Sequence, residues 1–435
     1  MNMSNLLITA ATNYPDRPAI SFNNVTYTWS EVCERTKKLA TKLSNMGVVK
    51  NDNVAFIGKN SNIQIELFYA CSMLGATFIP ISYRYSKKEI DDILRECNPK
   101  VYLDESSILI TDEKPYDSIV SGNKYYTVTY TGGTSGKSKG VLLSHTGQYL
   151  NCLANALAFN LSIDDVSLLS GPIYHLGPQN RIFASTMMAS HLVILDKFVP
   201  AKFIDIVQKY KVTNILLAPT MLQMLLDAPE FDYEKVKSIK NIQTGGSVMS
   251  TVLLDRAKTI FVDAEFNDSY GVTEMTGLVL ANNKPVPYVA VKIIDDELWV
   301  KGPTLFDAYV HKTPDLKDGW YRTGDMAKIV DGKYYILGRK DDMIVSGGVN
   351  VHPSEIETVI NSHPKVNQSA VIGVDDELWG QVPRAFVIGE VSEEDLIKHC
   401  KDNMANYKCP KQFIFIEDIP KTGAGKVDKQ ALKLL

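Results

Sequence analysis

The sequence predicts an α/β fold: a large N-terminal domain of βα-layered sheets with a small β-rich subdomain, followed by a small α+β C-terminal domain. Three observations carry this. Helix and strand patterns alternate through the first hundred residues and again through the 200s, the rhythm of a mostly parallel sheet covered by helices on both faces. Near residue 290 the texture changes to short strands, VAVKIID and ELWVKG, with turn residues between them. From about residue 340 a smaller module follows, opened by GRKDDMIVSGGVNVHP, which holds too many apolar and specific polar residues for a plain linker.

Thr28-Trp29-Ser30-Glu31 reads as a capping box, and Val32, Leu39, Leu43 and Met46 then recur at helical spacing up to Gly47. Asn53 to Ile57 reads as a buried strand, 62–75 as a helix and Thr77 to Ile81 as a strand, and Ser86 caps a helix through Cys97. Later the spacing predicts a helix over 203–210, a strand over Asn214 to Leu217 and a helix after Pro219. In the last module, helices are expected over 353–361 and 392–405, with strands near SAVIGV, RAFVIG and QFIFIE. The expected domains are 1–339 and 340–435.

A chain of 435 residues exceeds one ordinary core. Its formal net charge of −4 provides no global basic field, which argues against nucleic acid as a main partner. No apolar run approaches the length of a membrane span, and MNMSNLLITAATNYPDR lacks the form of a signal peptide, so a cytoplasmic protein is expected. The six cysteines show no C-x-x-C pair and read as reduced, mostly buried small side chains.

The densest chemistry lies in YTGGTSGKSKGVLLSH, Tyr130 to His145. Its glycines, hydroxyls and lysines compose a phosphate cradle, yet it fails as a P-loop because Thr131 stands where the first glycine belongs. Lys139 to Leu143 then reads as a strand, with the first helical pattern near Thr146, so the loop is expected to be a strand–loop–strand clamp. A flexible surface turn is the bland alternative.

Six motifs in order decide between them: YTGGTSGKSKGV, SYGVTE (Ser269 to Glu274), GWYRTGD (Gly319 to Asp325), LGRKDDMI (Leu337 to Ile344), SGGVNVHPSEIE (Ser346 to Glu357) and PKTGAGK (Pro420 to Lys426). Their order and spacing resemble the adenylate-forming superfamily of acyl-CoA synthetases, nonribosomal adenylation domains and beetle luciferases, from about Pro15 to the last residue. The resemblance implies that the C-terminal domain is mobile and that ATP, Mg²⁺ and coenzyme A are used.

It also implies roles. Thr131, Gly132, Gly133, Thr134, Ser135, Gly136 and Lys139 would hold the outer phosphates. Gly132 replaces the usual Ser, Ser135 a Thr and Ser138 a Pro. Tyr270 would stack on adenine, Thr273 would donate to the α-phosphate, and Glu274 would hold Mg²⁺. Asp325 would accept both ribose hydroxyls, with Arg339 adding a contact to ribose or phosphate. Lys426 would bridge the attacking carboxylate and the α-phosphate from a glycine-rich arm, Asp341 would be the hinge, and Gly347 and Gly348 would line the thiol tunnel.

His175, in Pro172-Ile173-Tyr174-His175, matches a pocket-entry motif beside the acid's carboxylate; a lone His is otherwise more often a core residue. Leu176 to Arg181, Thr244 to Met249 (with Gly245, Gly246 and Ser247) and Asp268 to Gly271 (with Ser269) would wall the acid and nucleotide pocket. These mixed apolar and small walls suit a fatty or aryl acid. Arg181 is read either as the partner of a second carboxylate, as in succinylbenzoate-CoA ligases, or as a surface charge. The expected reaction makes acyl-AMP and then acyl-CoA. The alternative acceptor is the phosphopantetheine of a carrier protein, and a non-catalytic adenylate binder or a luciferase-like oxygenase are further readings. The sequence leaves the oligomeric state open.

Overall fold

The structure is a computed structural model and describes all residues except 108–112, 132–137, 248 and 422–426. Two compact units interleave along the chain: Met1–Gly246 with Phe261–Ala290 and Lys301–Tyr321, and Ser247–Ile260 with Val291–Val300 and Arg322–Leu435.

The first unit holds two sheets. The nine-stranded sheet has a parallel centre, in the order Glu265–Val272, Asn241–Gly245, Asn214–Leu217, Val166–Leu169, His191–Ile194 and Pro18–Phe22. Antiparallel partners finish both sides: Val25–Thr28 on one, and Gly277–Ala281 followed by the two-residue strand Lys284–Pro285 on the other. The six-stranded sheet runs Ala308–Tyr309, Lys139–Ser144, Tyr125–Thr131, Thr77–Ile81, Asn53–Ile57 and Val101–Asp104. Its last four strands are parallel, and the first two join antiparallel.

Local chemistry places the early elements where the sequence predicts them. Helix Trp29–Asn45 starts at a complete capping box, in which Thr28 Oγ1 accepts the Glu31 N–H and Glu31 Oε2 accepts the Thr28 N–H. Ser86 and Glu89 repeat the box for Lys87–Cys97. Helix Asn62–Leu74 is buried nearly all round and stops at Gly75, whose φ of +68° forms a left-handed cap. It packs against strands of both sheets, Pro18–Phe22 and Thr77–Ile81. Its Phe68 ring meets Phe78 at 4.5 Å and Phe183 at 5.3 Å, both edge-on, the arrangement that the aromatic quadrupole favours.

In the second unit a five-stranded sheet runs Val349–Val351, Ile344–Ser346, Gly380–Gly389 and Val366–Asp376, with Gln412–Phe415 parallel to Gly380–Gly389. Helices Pro353–Asn361 and Glu393–Asn403 cover a core that includes Ile356, Ile360, Val371, Val387 and Leu396. The strand Lys333–Arg339 pairs with Trp320–Val330. Among the described residues no helix is long and apolar enough to cross a membrane.

Candidate active site

In the first unit, the strands that flank the glycine loop are antiparallel neighbours, with Thr131 opposite Lys139. The ends of the loop are therefore pinned as a hairpin. Gly132, Gly133, Thr134, Ser135 and Gly136 themselves lie outside the described residues. The second strand leads directly into helix His145–Ala158, where Ser144 Oγ accepts the Gly147 N–H at 3.0 Å.

Two parallel strands place the next group. Gly245 lies opposite Ser269, and a β-carbon on Gly245 would fall onto the Ser269 hydroxyl and 2.8 Å from its carbonyl oxygen. The space that glycine leaves lets Ser269 Oγ donate to the Thr244 carbonyl at 2.7 Å. Gly246, at φ +88°, turns the chain out into open space. Asp268 holds the strand end through its N–H, donated to Asn282 Oδ1 at 2.9 Å. The register with Gly277–Ala281 shifts between Tyr270 and Gly271, a bulge of the kind that re-aims side chains beside functional sites. A β-carbon on Gly271 would collide with the Gly277 carbonyl oxygen.

Thr273 and Glu274 follow in a single 3₁₀ turn, Thr273–Met275. The Glu274 carbonyl accepts the Phe306 N–H at 2.7 Å, and Glu274 Oε1 accepts the Tyr309 hydroxyl at 2.9 Å. Tyr309 Oη lies 3.2 Å from Tyr321 Oη, and the Phe306 ring packs edge-on against both, at 4.7 and 5.5 Å. Lys139 Nζ sits 5.7 Å from the centre of the Tyr309 ring, within cation–π range. Burial, followed by the charge of Glu274, pushes the Tyr321 phenol up, so that it stays protonated.

His175 is half-buried at the head of helix Leu176–Met187, its ring 4.8 Å from Tyr174. Arg181, on the same helix, is 4% exposed, which corrects the surface-charge reading. Its Nη2 donates to Gln243 Oε1, and its Nη1 has no hydrogen-bond partner among the described residues. Burial brings this guanidinium down to about 10, against the partial support of Asp165.

In the second unit, Asp325 lies opposite Arg339 in the strand pairing. Arg339 Nη1 donates to the Thr323 carbonyl at 2.8 Å and to Asp325 Oδ1 at 3.2 Å, with Asp325 7% exposed. Beneath this pair the structure reveals Glu297, 3% exposed. It accepts from Arg322 at 2.9 Å, from Lys340 at 3.1 Å and from the Gly324 N–H at 3.2 Å. Burial alone would raise its pKa, but Arg322 and Lys340 hold the carboxyl below its ordinary value.

Asp341 occupies the turn Lys340–Asp342 that follows. Gly347 and Gly348, at φ +58° and +81°, connect the hairpin strands Ile344–Ser346 and Val349–Val351. The Gly347 N–H donates to the Trp379 carbonyl at 2.8 Å, and a β-carbon on Gly347 would meet the indole at 2.6 Å. Ser247 is exposed in this unit, and Lys426 lies outside the described residues.

Comparison with known proteins accounts for both segments. A family model described as AMP-binding enzyme matches residues 7–310, and one for the AMP-binding enzyme C-terminal domain matches 355–426. The chain belongs to the AMP-binding enzyme family. This AMP-binding enzyme is 30% identical to 2-succinylbenzoate–CoA ligase of Listeria monocytogenes, covering 96% of each chain, and 27% identical to feruloyl-CoA synthase of an Amycolatopsis species, covering 95% of each. It also matches the solved o-succinylbenzoate CoA synthetase of Bacillus subtilis in complex with the acyl-adenylate intermediate, with TM-score 0.89, 26% identity and coverage of 99% and 98% of the two chains. The adenylate-forming fold read from the motifs is thus the fold of this AMP-binding enzyme.

Its residues fit a magnesium ion held with a nucleotide. Among the described residues no three His, Cys, Asp or Glu side chains gather into an all-protein metal cage, whereas Glu274 would supply one carboxylate, and magnesium is commonly held by one or two carboxylates plus substrate phosphates. Sequence reasoning missed Tyr309 as the partner of Glu274, Glu297 as the partner of Arg322 and Lys340, and Trp379 as the neighbour of Gly347. The available signal for Glu297 was a charged residue opening the otherwise apolar run ELWV.

Proposed function

We propose that this AMP-binding enzyme joins an aryl carboxylic acid to coenzyme A. The chain is an AMP-forming acid–thiol ligase using ATP, Mg²⁺ and CoA. In the first step a carboxylate oxygen attacks the α-phosphorus, forming the acyl–phosphate bond as pyrophosphate leaves. In the second step the thiol sulfur attacks the acyl carbon, the bond to AMP breaks, and the thiol proton passes to solvent. Bound magnesium supplies charge neutralisation on the phosphates.

The observation that carries this reading is the run Lys139–Tyr309–Glu274 at the foot of the glycine hairpin. It sets a cation, a neutral donor and a carboxylate side by side, as phosphoryl chemistry with a metal requires. We assign Tyr270 to adenine, Thr273 to the α-phosphate, Asp325 and Arg339 to the ribose, and His175 to the acid's carboxylate. Lys426 acts in the first step. The domains part at 339/340, and rotation at Asp341 exchanges Lys426 for the Gly347–Gly348 hairpin with its Trp379 wall. The three aryl-acid names among the relatives, succinylbenzoate, ferulate and indoleacetate, support the acid class. Six free cysteines, five of them buried, fit a reducing cytoplasm.

A second reading of the acid has its own observation. Arg181 is a buried cation with no carboxylate hydrogen-bonded to it among the described residues, Asp165 supporting it only through space, so an acid with a second carboxylate is favoured over its monoacid counterpart. Pyrophosphate release across aryl, fatty and dicarboxylic acids, with and without CoA, tests both readings. Multiple turnover that needs CoA and an aryl acid is expected, with Arg181→Met lowering kcat/KM for diacids alone. Release limited to one equivalent and indifferent to CoA would overturn the acceptor and point to a carrier protein.

A further inference from the structure

We propose that Tyr309, backed by Tyr321, is a positioning residue that presents Glu274 to the nucleotide-bound magnesium and ties it to Lys139. The proposal rests on the assignment of Glu274 to the metal. A lone half-buried glutamate on a single 3₁₀ turn has several rotamers, and a carboxylate must be held in one of them to meet a small cation that demands near-ideal geometry.

The structure supplies the restraint from one short segment. The Phe306 N–H fixes the Glu274 carbonyl at 2.7 Å, and three residues later the Tyr309 hydroxyl fixes Oε1 at 2.9 Å. Thr276 closes the same link from the other side, donating through Oγ1 to the Thr304 carbonyl at 2.6 Å. Tyr321 lies 3.2 Å from the Tyr309 hydroxyl, and Lys139 lies over the Tyr309 ring. Tyr309 is therefore engaged on both sides: its hydroxyl on the carboxylate, its face on the cation that opens the strand after the glycine loop.

Tyr309→Phe removes the hydroxyl and keeps the ring. A hydrogen bond to a charged group of this kind corresponds to about a tenfold change in an equilibrium constant. The expected result is a rise of about tenfold in the Mg²⁺ concentration that half-saturates adenylate formation. The KM for the acid and the thermal midpoint should remain near native. Direct binding, read from the electron paramagnetic resonance of Mn²⁺ titrated into the enzyme with a non-hydrolysable ATP analogue, should weaken by the same factor. Tyr321→Phe should give a smaller shift in the same direction. Glu274→Gln separates the two levels of the argument. If it leaves metal dependence unchanged, the assignment of Glu274 falls; if it weakens metal binding while Tyr309→Phe leaves binding unchanged or tighter, the positioning role is overturned.

Discussion

At Glu297 a carboxylate is taken out of water and three donors converge on it, of which Arg322 and Lys340 hold it below its ordinary value against the effect of burial. Each donor comes from a segment named by a motif: Arg322 and Gly324 from GWYRTGD, Lys340 from LGRKDDMI. Glu297→Gln keeps the shape and removes the charge, and its cost at neutral pH should be about 2 kcal/mol, read from denaturant unfolding. The sign follows from linkage. The folded-state pKa is depressed, so the stabilisation is present above the unfolded value and disappears as pH falls through the folded one. Native and variant stabilities should therefore converge as pH drops below the ordinary glutamate value of 4.5; a gap that stayed constant into acid would show that the charge is irrelevant. Sequence reasoning reached Asp325 and Arg339 through motifs, but Glu297 lies 25 residues before Arg322 and 43 before Lys340, and no local pattern announces such a partnership.

Elements were the most legible level, for a reason visible in their ends. The strands Asn53–Ile57 and Thr77–Ile81 and the helices after Thr28 and Ser86 are bounded by caps and turns encoded within a few residues, so their extents follow from neighbouring chemistry. Ser86→Ala should cost about 1 kcal/mol of stability, measured by thermal unfolding, and Glu89→Ala should cost no more on top of it than the half of the box still standing. Gly347 and Gly348 were read through the resemblance as thiol-tunnel glycines; neither their hairpin nor the indole against it was legible, because Trp379 arrives from a separate strand connection 32 residues later. Gly347→Val adds a side chain at positive φ and against that ring. Pyrophosphate release from ATP and acid should persist in this variant, while thioester formation drops at least a hundredfold, a loss of about 2.7 kcal/mol in transition-state stabilisation. Thioester formation at the native rate would remove the hairpin from the thiol's path.

For the whole molecule, the proposed division of labour is that one chain carries out two reactions by exchanging which part of its C-terminal domain is used. Lys426→Ala should then abolish acyl-AMP formation yet leave the conversion of preformed acyl-AMP and CoA largely intact, as measured by separate half-reaction assays. Equal loss in both halves would place Lys426 outside the first step. Sequence reasoning expected two domains with the boundary at 339/340, from the module opened by GRKDDMIVSGGVNVHP, but it did not see how the strands of the large unit are ordered, since parallel neighbours such as Pro18–Phe22 and His191–Ile194 come from distant parts of the chain. That order has a consequence of another kind. The parallel strands are interior, and each outer margin of the nine-stranded sheet is a short antiparallel piece: Val25–Thr28 on one side, Lys284–Pro285 on the other. A proline offers no N–H to a passing strand and a lysine resists being dried, so the last rung of the ladder is a poor template for a stranger's backbone. A protein whose buried strands are as apolar as Asn214–Leu217 would be a hazard to its neighbours if that margin lay open, and two residues, Lys284 and Pro285, are enough to make it an unsociable one.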